Sequence, residues 1–362
     1  MNVLVMGGTQ FNGLALVHEL MRAGHQVTIL NRGRTEAALP AGVERLICDR
    51  SDHDAVKSTL RGKDWDCVYD ISAYRPEDVA TMIEALEGRV GHYIFASSTV
   101  IYAQTDLLPI TENHPVERGP DQNAYGLNKL LCEDLLWEAW RARRFPASIA
   151  AFSMVFGPHN IIPEREQRMF KRLQLGRKVM LPGRGRTVHQ VGYVRDEARA
   201  LRAMMLRENT FGKRYNMTGA DAFSDEGYVD TFAEVMGLDP ESVEKVSIPA
   251  AMMDDIYAGR ISLSDQSMEV KVDTRSKRDP RGEALFQVNR IIQRLAPNIH
   301  HWDRSVVFSI DRLKEDTGWQ PEYTFRAAVE ETWEWMQSSG RHESVEFDFG
   351  FEDHLLERIA SL

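Results

Sequence analysis

Short apolar runs alternate with helical patterns through the first 152 residues of this 362-residue chain. The run at residues 3–6 is followed by apolar residues at helical spacing, and Gly24 ends that segment. Strands that alternate with helices pair in parallel through right-handed crossovers. The sequence therefore predicts an α/β fold with a doubly wound parallel sheet. Further strand-like runs are at 27–30, 45–48, 67–71, 93–96 and 148–152, and the helical patterns are at 11–23, 53–60, 76–86 and 124–143.

A glycine-rich turn at residues 7–13 joins the first predicted strand to the first predicted helix. A dinucleotide needs its pyrophosphate held by backbone N–H groups at a helix N-terminus, where side chains would block its approach. We expect Gly7 to make the tight turn and Gly13 to let the helix pack on the strand, although Gln10 stands where the usual pattern has a glycine. The alternative is a generic strand–helix turn. The residues predicted to bind a nucleotide here are Gly7, Thr9, Gln10, Phe11 and Gly13.

The residues after the second and third strands bear on the choice between NAD and NADP. An acidic residue after the second strand would bind the ribose hydroxyls and select NAD. Asn31 is uncharged and Arg32 can reach a 2′-phosphate, so the pattern leans toward NADP without deciding the matter. Asp49 is expected to bind the adenine amino group, or else to be an ordinary loop carboxylate.

Tyr125 and Lys129 stand four residues apart at the start of a long predicted helix, on one helix face. A phenol with a reference pKa near 10 is a poor base at neutral pH. The lysine ammonium and an oxidised nicotinamide ring would both lower that pKa. Tyr125 would then take a proton from a substrate hydroxyl, while Ser98, at the end of a parallel strand, orients the reacting oxygen. Because the spacing is common by chance, a surface pair is the alternative.

Together these motifs resemble those of the extended short-chain dehydrogenase/reductases, in the NAD-dependent epimerase/dehydratase family. The glycine turn, Ser98, the Tyr125–Lys129 pair and the residues at 156–158 follow the family's order. The first 35 residues are most similar to a branch with chloroplast stem-loop-binding proteins and bacterial nucleoside-diphosphate-sugar epimerases. The resemblance implies a Rossmann domain, a nicotinamide cofactor, and a homodimer formed through the helices at 76–86 and 124–143.

The resemblance also makes a nucleoside diphosphate sugar the default substrate, bound in a cleft after Pro158. The residues expected to contact it are Ser98, Thr99, Tyr74, His159, Asn160 and Arg186. The other basic residues expected to be able to face a diphosphate are Arg168, Lys171 and Arg184. Ser72, Lys129 and Phe152 are expected to complete the cofactor site.

Two positions narrow the reaction. Family members that eliminate water carry an Asp-Glu pair straight after the catalytic hydroxyl residue, and here those positions are Thr99 and Val100. Elimination would lack its acid and base, so we predict against dehydration and decarboxylation. Epimerisation at a sugar carbon, or carbonyl reduction, remains. The alternatives are an RNA-binding or RNA-processing protein on the same fold, and a non-catalytic protein that binds the cofactor.

The alternation weakens in the second half of the chain, which suggests two lobes. We expect a dinucleotide-binding domain over 1–157, with segments near 187–235 returning to it. A smaller C-terminal α/β lobe, mainly over 158–362, would bind the substrate. A charged segment near 259–305 predicts a surface insertion, and the aromatic and acidic end of the chain, 341–362, predicts a docked tail.

The net charge and the cysteine content argue against several classes of protein. The formal net charge is -10, which repels nucleic-acid backbones and disfavours non-specific binding to them. Three cysteines, Cys48, Cys67 and Cys132, argue against a disulfide framework and a structural zinc site, and no metal pattern occurs in the sequence. No apolar run approaches the roughly 20 residues that span a bilayer. With a strand-like run already at 3–6 in place of a leader, we expect a cytoplasmic protein without a membrane partner.

Overall fold

The structure is a computed structural model, and it describes residues 1–162, 164–261, 291 and 301–362. Most of the predicted surface insertion, at 262–290 and 292–300, lies outside the described residues. The strands in the described part are β1 (Asn2–Met6), β2 (Gln26–Asn31), β3 (Glu44–Ile47), β4 (Trp65–Asp70), β5 (Val90–Ser98), β6 (Ala147–Phe152), β7 (Val155–Phe156), β8 (Val179–Pro182), β9 (Val188–Gln190), β10 (Gly192–Tyr193), β11 (Arg214–Met217), β12 (Ala222–Ser224) and β13 (Lys245–Ile248).

The helices of the same part are α1 (Phe11–Arg22), α2 (His53–Leu60), α3 (Pro76–Leu86), α4 (Ala124–Arg143), α5 (Glu166–Gln174), α6 (Val194–Met204), α7 (Asp225–Val235), α8 (Ala250–Tyr257), α9 (Asp311–Thr317), α10 (Phe325–Ser338), α11 (Arg341–Ser344) and α12 (Gly350–Ala360). Short 3-10 helices are at Thr99–Ile101, Glu208–Thr210 and Pro240–Ser242. No helix among these is both long enough and apolar enough to cross a membrane.

Seven parallel strands form the main sheet, in the order β11-β6-β5-β4-β1-β2-β3. Helices cover both faces: α1 packs against α6 on one face, and α2, α3 and α4 pack side by side on the other. This arrangement confirms the predicted α/β fold with a doubly wound sheet of the Rossmann type.

Burial of both sheet faces explains why β1 is apolar without alternation. Val3 and Val5 lie in the core under α1 and α6, whereas Leu4 and Met6 lie in the core under α2, α3 and α4. All four side chains are fully buried. A strand covered on both faces has no solvent side on which a polar residue would be favoured.

Side-chain caps mark where the helices of the main domain begin. The Asp52 carboxylate accepts from the Ala55 N–H at the start of α2. The Asn123 side chain accepts from the Gly126 N–H at 2.8 Å at the start of α4. These caps satisfy N–H groups that have no partner within the helix, and so fix the first turn. The first turn of α4 carries Tyr125.

Smaller sheets and helices make up the rest of the described chain. Two-stranded sheets pair β10 with β7, β12 with β9 and β13 with β8. Aromatic side chains join α5, α7 and α10: the ring centroid of Phe170 lies 4.6 Å from that of Phe232 and 4.9 Å from that of Trp333. The end of the chain packs on this region, with Phe351 and Leu355 of α12 fully buried.

A buried ion cluster joins α5 to α12 and corrects one expectation. Arg168 and Arg172 are fully buried and both donate to the Glu352 carboxylate, at 2.9 Å and 2.8 Å from their Nε atoms. Burial alone would raise the pKa of Glu352, but the guanidinium groups of Arg172 and Arg168 outweigh it and hold the pKa below its usual value. Arg168 therefore does not face a diphosphate. Lys171 is also engaged, since its Nζ donates to the His342 carbonyl at 3.1 Å.

Candidate active site

The glycine turn leaves no room for side chains. Gly7 and Gly8 have φ of 114° and 85°, a region that favours glycine. A Cβ on Gly8 would lie 2.6 Å from Ile29 Cγ2, and one on Gly13 would lie 2.8 Å from the Gly8 nitrogen. Helix α1 therefore packs directly against the turn. The sequence analysis gave no role to Gly8, although the Gly-Gly pair was a signal for it.

The N-terminus of α1 has the features that a pyrophosphate requires. The helix begins at Phe11, and the Gln10 side chain makes no cap hydrogen bond to it. N–H groups in an uncapped first turn are available to water or to an anion. The uncapped N–H groups and the close packing of the turn on α1 at Gly8 and Gly13 are what a bound pyrophosphate needs, so the residues present fit a dinucleotide.

Of the residues at or just after the ends of β2 and β3, Asn31 contacts the glycine turn, whereas Arg32 and Asp49 are exposed. Asn31 donates from Nδ2 to the Gly7 carbonyl at 3.2 Å and accepts from the Gly33 N–H at 2.8 Å, so its amide ties β2 to the glycine turn. Arg32 is exposed. Asp49 is also exposed, and two hydrogen bonds from Ser51 hold its pKa below the usual value.

A buried ion pair beneath the turn was missed by the sequence analysis. Asp70 ends β4 fully buried and accepts from Arg50 Nη2 at 2.8 Å and from the Tyr93 hydroxyl at 2.6 Å. Burial alone would raise the pKa of Asp70, but Arg50 outweighs it and lowers the pKa. Arg50 also donates to Ser72 Oγ at 3.0 Å. The Ser72 Cβ lies 3.8 Å from where a Gly7 Cβ would be, so Ser72 lies beside the turn.

Lys129 of α4 is buried and hydrogen-bonded to two backbone carbonyls. It is 2 % exposed, and its Nζ donates to the Ala73 carbonyl at 2.7 Å and the Ala96 carbonyl at 2.6 Å. The same Nζ lies 4.9 Å from the Tyr74 ring centroid and 5.7 Å from that of Tyr125. The two tyrosine rings are 6.2 Å apart.

Ser98 lies two residues after Ala96, whose carbonyl accepts from Lys129 Nζ. It is the last residue of β5 and half-buried, and its Oγ accepts from the Val100 N–H at 3.4 Å. Phe152 of β6 is its neighbour in register and is buried. Thr99 begins the 3-10 turn that follows and is also buried. The bond from Lys129 to Ala96 thus holds the end of β5 against α4.

The residues expected to contact the substrate after Pro158 lie in different environments. His159 has φ of 64° and packs on Trp335, with ring centroids 5.1 Å apart. Asn160 is buried, and its Nδ2 donates to the Glu166 carboxylate at 2.9 Å. Arg184 and Arg186 are exposed in the turn between β8 and β9. The contacts of Asn160 are therefore internal, whereas the two arginines face solvent.

The sequence analysis assigned no role to the charged residues Arg165, Glu166 and Glu197. Arg165 donates from Nη1 to the Val155 carbonyl at 2.6 Å. Burial lowers the pKa of Arg165, while charges on Glu166, Tyr125 and Glu197 oppose that change. Burial also raises the pKa of Glu166 to about 7. The available signal for these charges was Glu197, a glutamate on the buried face of α6.

Across the described ranges, no group of three or more His, Cys, Asp or Glu side chains could hold a metal ion. Cys48, Cys67 and Cys132 are free thiols buried in the core. Burial raises the pKa of Cys132 to about 12, which disfavours the reactive thiolate.

Comparison of the sequence with known proteins identifies the family of this chain. A sequence model of the NAD dependent epimerase/dehydratase family matches residues 3–218, the span with the glycine turn, Ser98, Tyr125 and Lys129. The chain belongs to the NAD-dependent epimerase/dehydratase family. The family recognised from the sequence motifs is therefore confirmed.

Relatives within this family differ in their named activities. Chloroplast stem-loop binding protein of 41 kDa b from Arabidopsis thaliana is 33% identical over 258 residues, which cover 67% of this chain and 65% of the relative. A 2'-dehydrokanamycin reductase from Streptomyces kanamyceticus is 30% identical over 140 residues, 39% of each chain. A UDP-glucose 4-epimerase from Corynebacterium glutamicum is 23% identical over 374 residues, 94% of this chain and 97% of the relative. The matches to the first two thus span less than two thirds of their length.

Solved structures of the family share the fold. The dTDP-glucose 4,6-dehydratase of Bacillus anthracis, in complex with NAD, has a TM-score of 0.68 at 16% identity, and the match covers 94% of this chain and 98% of that one. The UDP-glucose 4-epimerase of Thermotoga maritima, with UDP-glucose, has a TM-score of 0.67 at 17% identity, covering 94% and 99%. The family description and the first of these structures both name NAD. The lean toward NADP drawn from Asn31 and Arg32 finds no support in them.

Proposed function

We propose that this family member binds NAD over the glycine turn and acts as an epimerase or oxidoreductase at a hydroxyl or keto carbon of a nucleotide sugar. The observation that carries the proposal is the buried Lys129 ammonium, which lies beside the rings of Tyr74 and Tyr125 and donates to the Ala96 carbonyl, two residues before Ser98. When bound, NAD supplies the hydride acceptor and donor. The protein's own groups supply binding and proton transfer.

The proposed cofactor site follows the edge of the sheet. Backbone groups of the glycine turn hold the pyrophosphate, and Asn31, Arg32 and Asp49 lie on the adenosine side. Ser72, Lys129 and Phe152 lie on the nicotinamide side. The residues assigned to the turn are Gly7, Thr9, Gln10, Phe11 and Gly13. The crowding at Gly8 and Gly13 supports this assignment, because the absence of side chains there lets the N-terminus of α1 pack directly against the turn that would hold the pyrophosphate.

In the proposed chemistry, Tyr125 moves the proton. Its phenolate takes the proton from the sugar hydroxyl, and its phenol returns a proton to the carbonyl oxygen in the reverse direction. The Lys129 ammonium stabilises the phenolate, and the Ser98 hydroxyl donates to the reacting oxygen. For an epimerase, the sugar turns between the two transfers; for a reductase, the product leaves after one.

The proposed sugar nucleotide occupies the cleft beside Tyr74, with Thr99, His159 and Arg186 along it; Asn160 is given no substrate contact, because its Nδ2 is bonded to Glu166. Support comes from relatives named UDP-glucose 4-epimerase and from the solved epimerase with UDP-glucose. Thr99 and Val100 stand where dehydratases of the family carry acidic residues, which favours epimerisation or reduction over elimination.

Cofactor titration followed by turnover assays tests the proposal. We expect NAD to bind the purified protein more tightly than NADP, and UDP-glucose and UDP-galactose or a related pair to interconvert. Accumulation of reduced cofactor would identify the oxidoreductase instead. Absence of dinucleotide binding would contradict the proposal.

The 33% identity to a stem-loop binding protein makes RNA binding the second candidate. We expect no salt-sensitive RNA binding at physiological ionic strength, because the net charge is -10. RNA binding that survives Tyr125→Phe, in a protein inactive on sugar nucleotides, would replace the enzyme proposal.

A further inference from the structure

Glu133 extends the functional face of α4 by one more turn. Tyr125, Lys129 and Glu133 follow one another at intervals of four residues, so their side chains lie along one face of the helix. Glu133 is fully buried. A buried carboxylate on a helix that could have carried an apolar residue calls for a physical reason.

Two partners from different strands satisfy the Glu133 carboxylate. Ser97 of β5 donates from Oγ to Oε1 at 2.5 Å. Arg214 of β11 donates from Nε to Oε2 at 2.9 Å. The guanidinium carbon of Arg214 lies 4.9 Å from the Trp137 ring and 5.6 Å from the Tyr102 ring. Arg214 thus balances the carboxylate charge inside the core, as a buried ion needs.

These contacts join α4 to two consecutive residues of β5, directly before Ser98. Lys129 binds the Ala96 carbonyl, Glu133 binds Ser97, and Ser98 is the next residue. Ser97 faces α4, as its bond to Glu133 shows, and Ser98 ends the strand. The helix with Tyr125 and the strand that ends at Ser98 are therefore held in register from both the backbone and a side chain.

We propose that Ser97 and Glu133 are positioning residues that set the separation between Ser98 and Tyr125. Neither takes part in the chemistry; Ser97 anchors the strand end and Glu133 the helix, with Arg214 as counter-charge. The inference rests on the proposed function, because it assigns Ser98 and Tyr125 to one reacting oxygen. It adds a hydrogen-bonded support beneath those two groups.

Ser97→Ala tests this role with Ser148→Ala as its matched control. Both variants remove one buried serine hydroxyl from neighbouring strands. Ser148 Oγ donates to the Thr210 carbonyl at 2.8 Å and contacts His92 Nε2 at 2.8 Å. Ser148 pairs with Ile94, whereas the last pair of the same ladder is Ser98 with Phe152, so the control lies toward the opposite end of the strand.

We expect Ser97→Ala to lower kcat by about tenfold to a hundredfold, with KM and NAD affinity within about twofold of wild type. The pH dependence of kcat should shift as well, because Tyr125 would no longer meet the substrate oxygen in the same geometry. Ser148→Ala should keep kcat within about twofold despite a similar fall in melting temperature. Ser97→Thr, which keeps a hydroxyl, should recover most of the lost rate. Unchanged kcat in Ser97→Ala, or equal losses in Ser97→Ala and its control, would overturn the inference.

Crystal structures of the two variants provide a readout that needs no turnover. The separation between Ser98 Oγ and the Tyr125 hydroxyl should change in Ser97→Ala and stay fixed in Ser148→Ala. If the wild-type protein turns over no sugar nucleotide, the proposed function fails, and this separation still decides the positioning role. An unchanged separation in Ser97→Ala would overturn that role by itself.

Discussion

The ammonium of Lys129 lies 2.6 Å from the carbonyl oxygen of Ala96, two residues before Ser98 in the same strand. The same ammonium also binds the Ala73 carbonyl after β4. Lys129 therefore links α4 to the ends of two neighbouring strands while it lies beside the Tyr125 ring. One buried charge thus serves both the structure of the site and its proposed chemistry.

Replacement of Lys129 should affect both roles. In Lys129→Met we expect turnover to fall at least about a hundredfold, and the unfolding free energy to fall by about 1–3 kcal/mol because two buried carbonyls lose their donor. Lys178→Met is the control, since Lys178 is half-exposed and pairs with Glu244 on the surface. Rate assays and chemical denaturation measure the two effects. A Lys129→Met protein with wild-type turnover would remove Lys129 from the proposed mechanism.

Gly8→Ala should show how closely the first helix packs on the glycine turn. The new Cβ would meet Ile29 at 2.6 Å, and φ of 85° adds strain, so we expect a loss of about 2–4 kcal/mol and of NAD binding. Gly24→Ala shares the strain, with φ of 79°, but has nothing within 4 Å. It should cost about 1 kcal/mol and leave NAD binding intact. Equal losses in the two variants would show that crowding at Gly8 is unimportant.

Glu166 should make the protein less stable as the pH rises. Burial raises its pKa from 4.5 to about 7, so its neutral form is favoured in the folded state. Its contribution is present in full below pH 4.5 and is lost as the pH rises through about 7. Glu166→Gln, which can still accept from Asn160, should therefore be more stable than wild type at pH 8 by about 1–3 kcal/mol, with little difference at pH 5.

Melting temperatures at the two pH values measure this effect. Glu241→Gln is the control, because Glu241 is exposed. A Glu166→Gln protein whose stability follows that of wild type at both pH values would show that this carboxyl keeps an ordinary pKa.

The exposed side of α4 should form a dimer contact. Leu127 and Leu131 stand one turn apart and are 37% and 39% exposed. We expect a dimer by light scattering, and a monomer when both leucines become aspartate, because the contact would then bury like charges. Leu175→Asp, at an exposed leucine after α5, should remain dimeric. A monomeric wild-type protein would contradict the expectation.

Local signals made the main sheet and its helices predictable. The observed bounds of α2, α3 and α4 are those predicted, since Asp52 and Asn123 cap two of them and Pro76 opens the third. The strands of the first half read as unbroken apolar runs because both faces of the sheet are covered. The pair Tyr125 and Lys129 was predictable because four residues make one helix turn.

Long-range pairing was beyond what the sequence could predict. Arg168 looked available for a diphosphate because its partner Glu352 stands 184 residues later. Glu133 and Arg214 are 81 residues apart, and only the folded sheet places β11 near α4. Asp70 offered a partial signal, because a carboxylate at the end of a buried strand requires a cation. The sequence did not show that this cation is Arg50.

The turnover of Tyr125→Phe tests the central claim most directly. The substitution removes one hydroxyl and leaves the ring beside Lys129 in place. If Tyr125 moves the proton, kcat on the sugar nucleotide falls at least about a hundredfold while NAD still binds with wild-type affinity. Near-normal turnover in this variant, with the cofactor bound, would contradict the account.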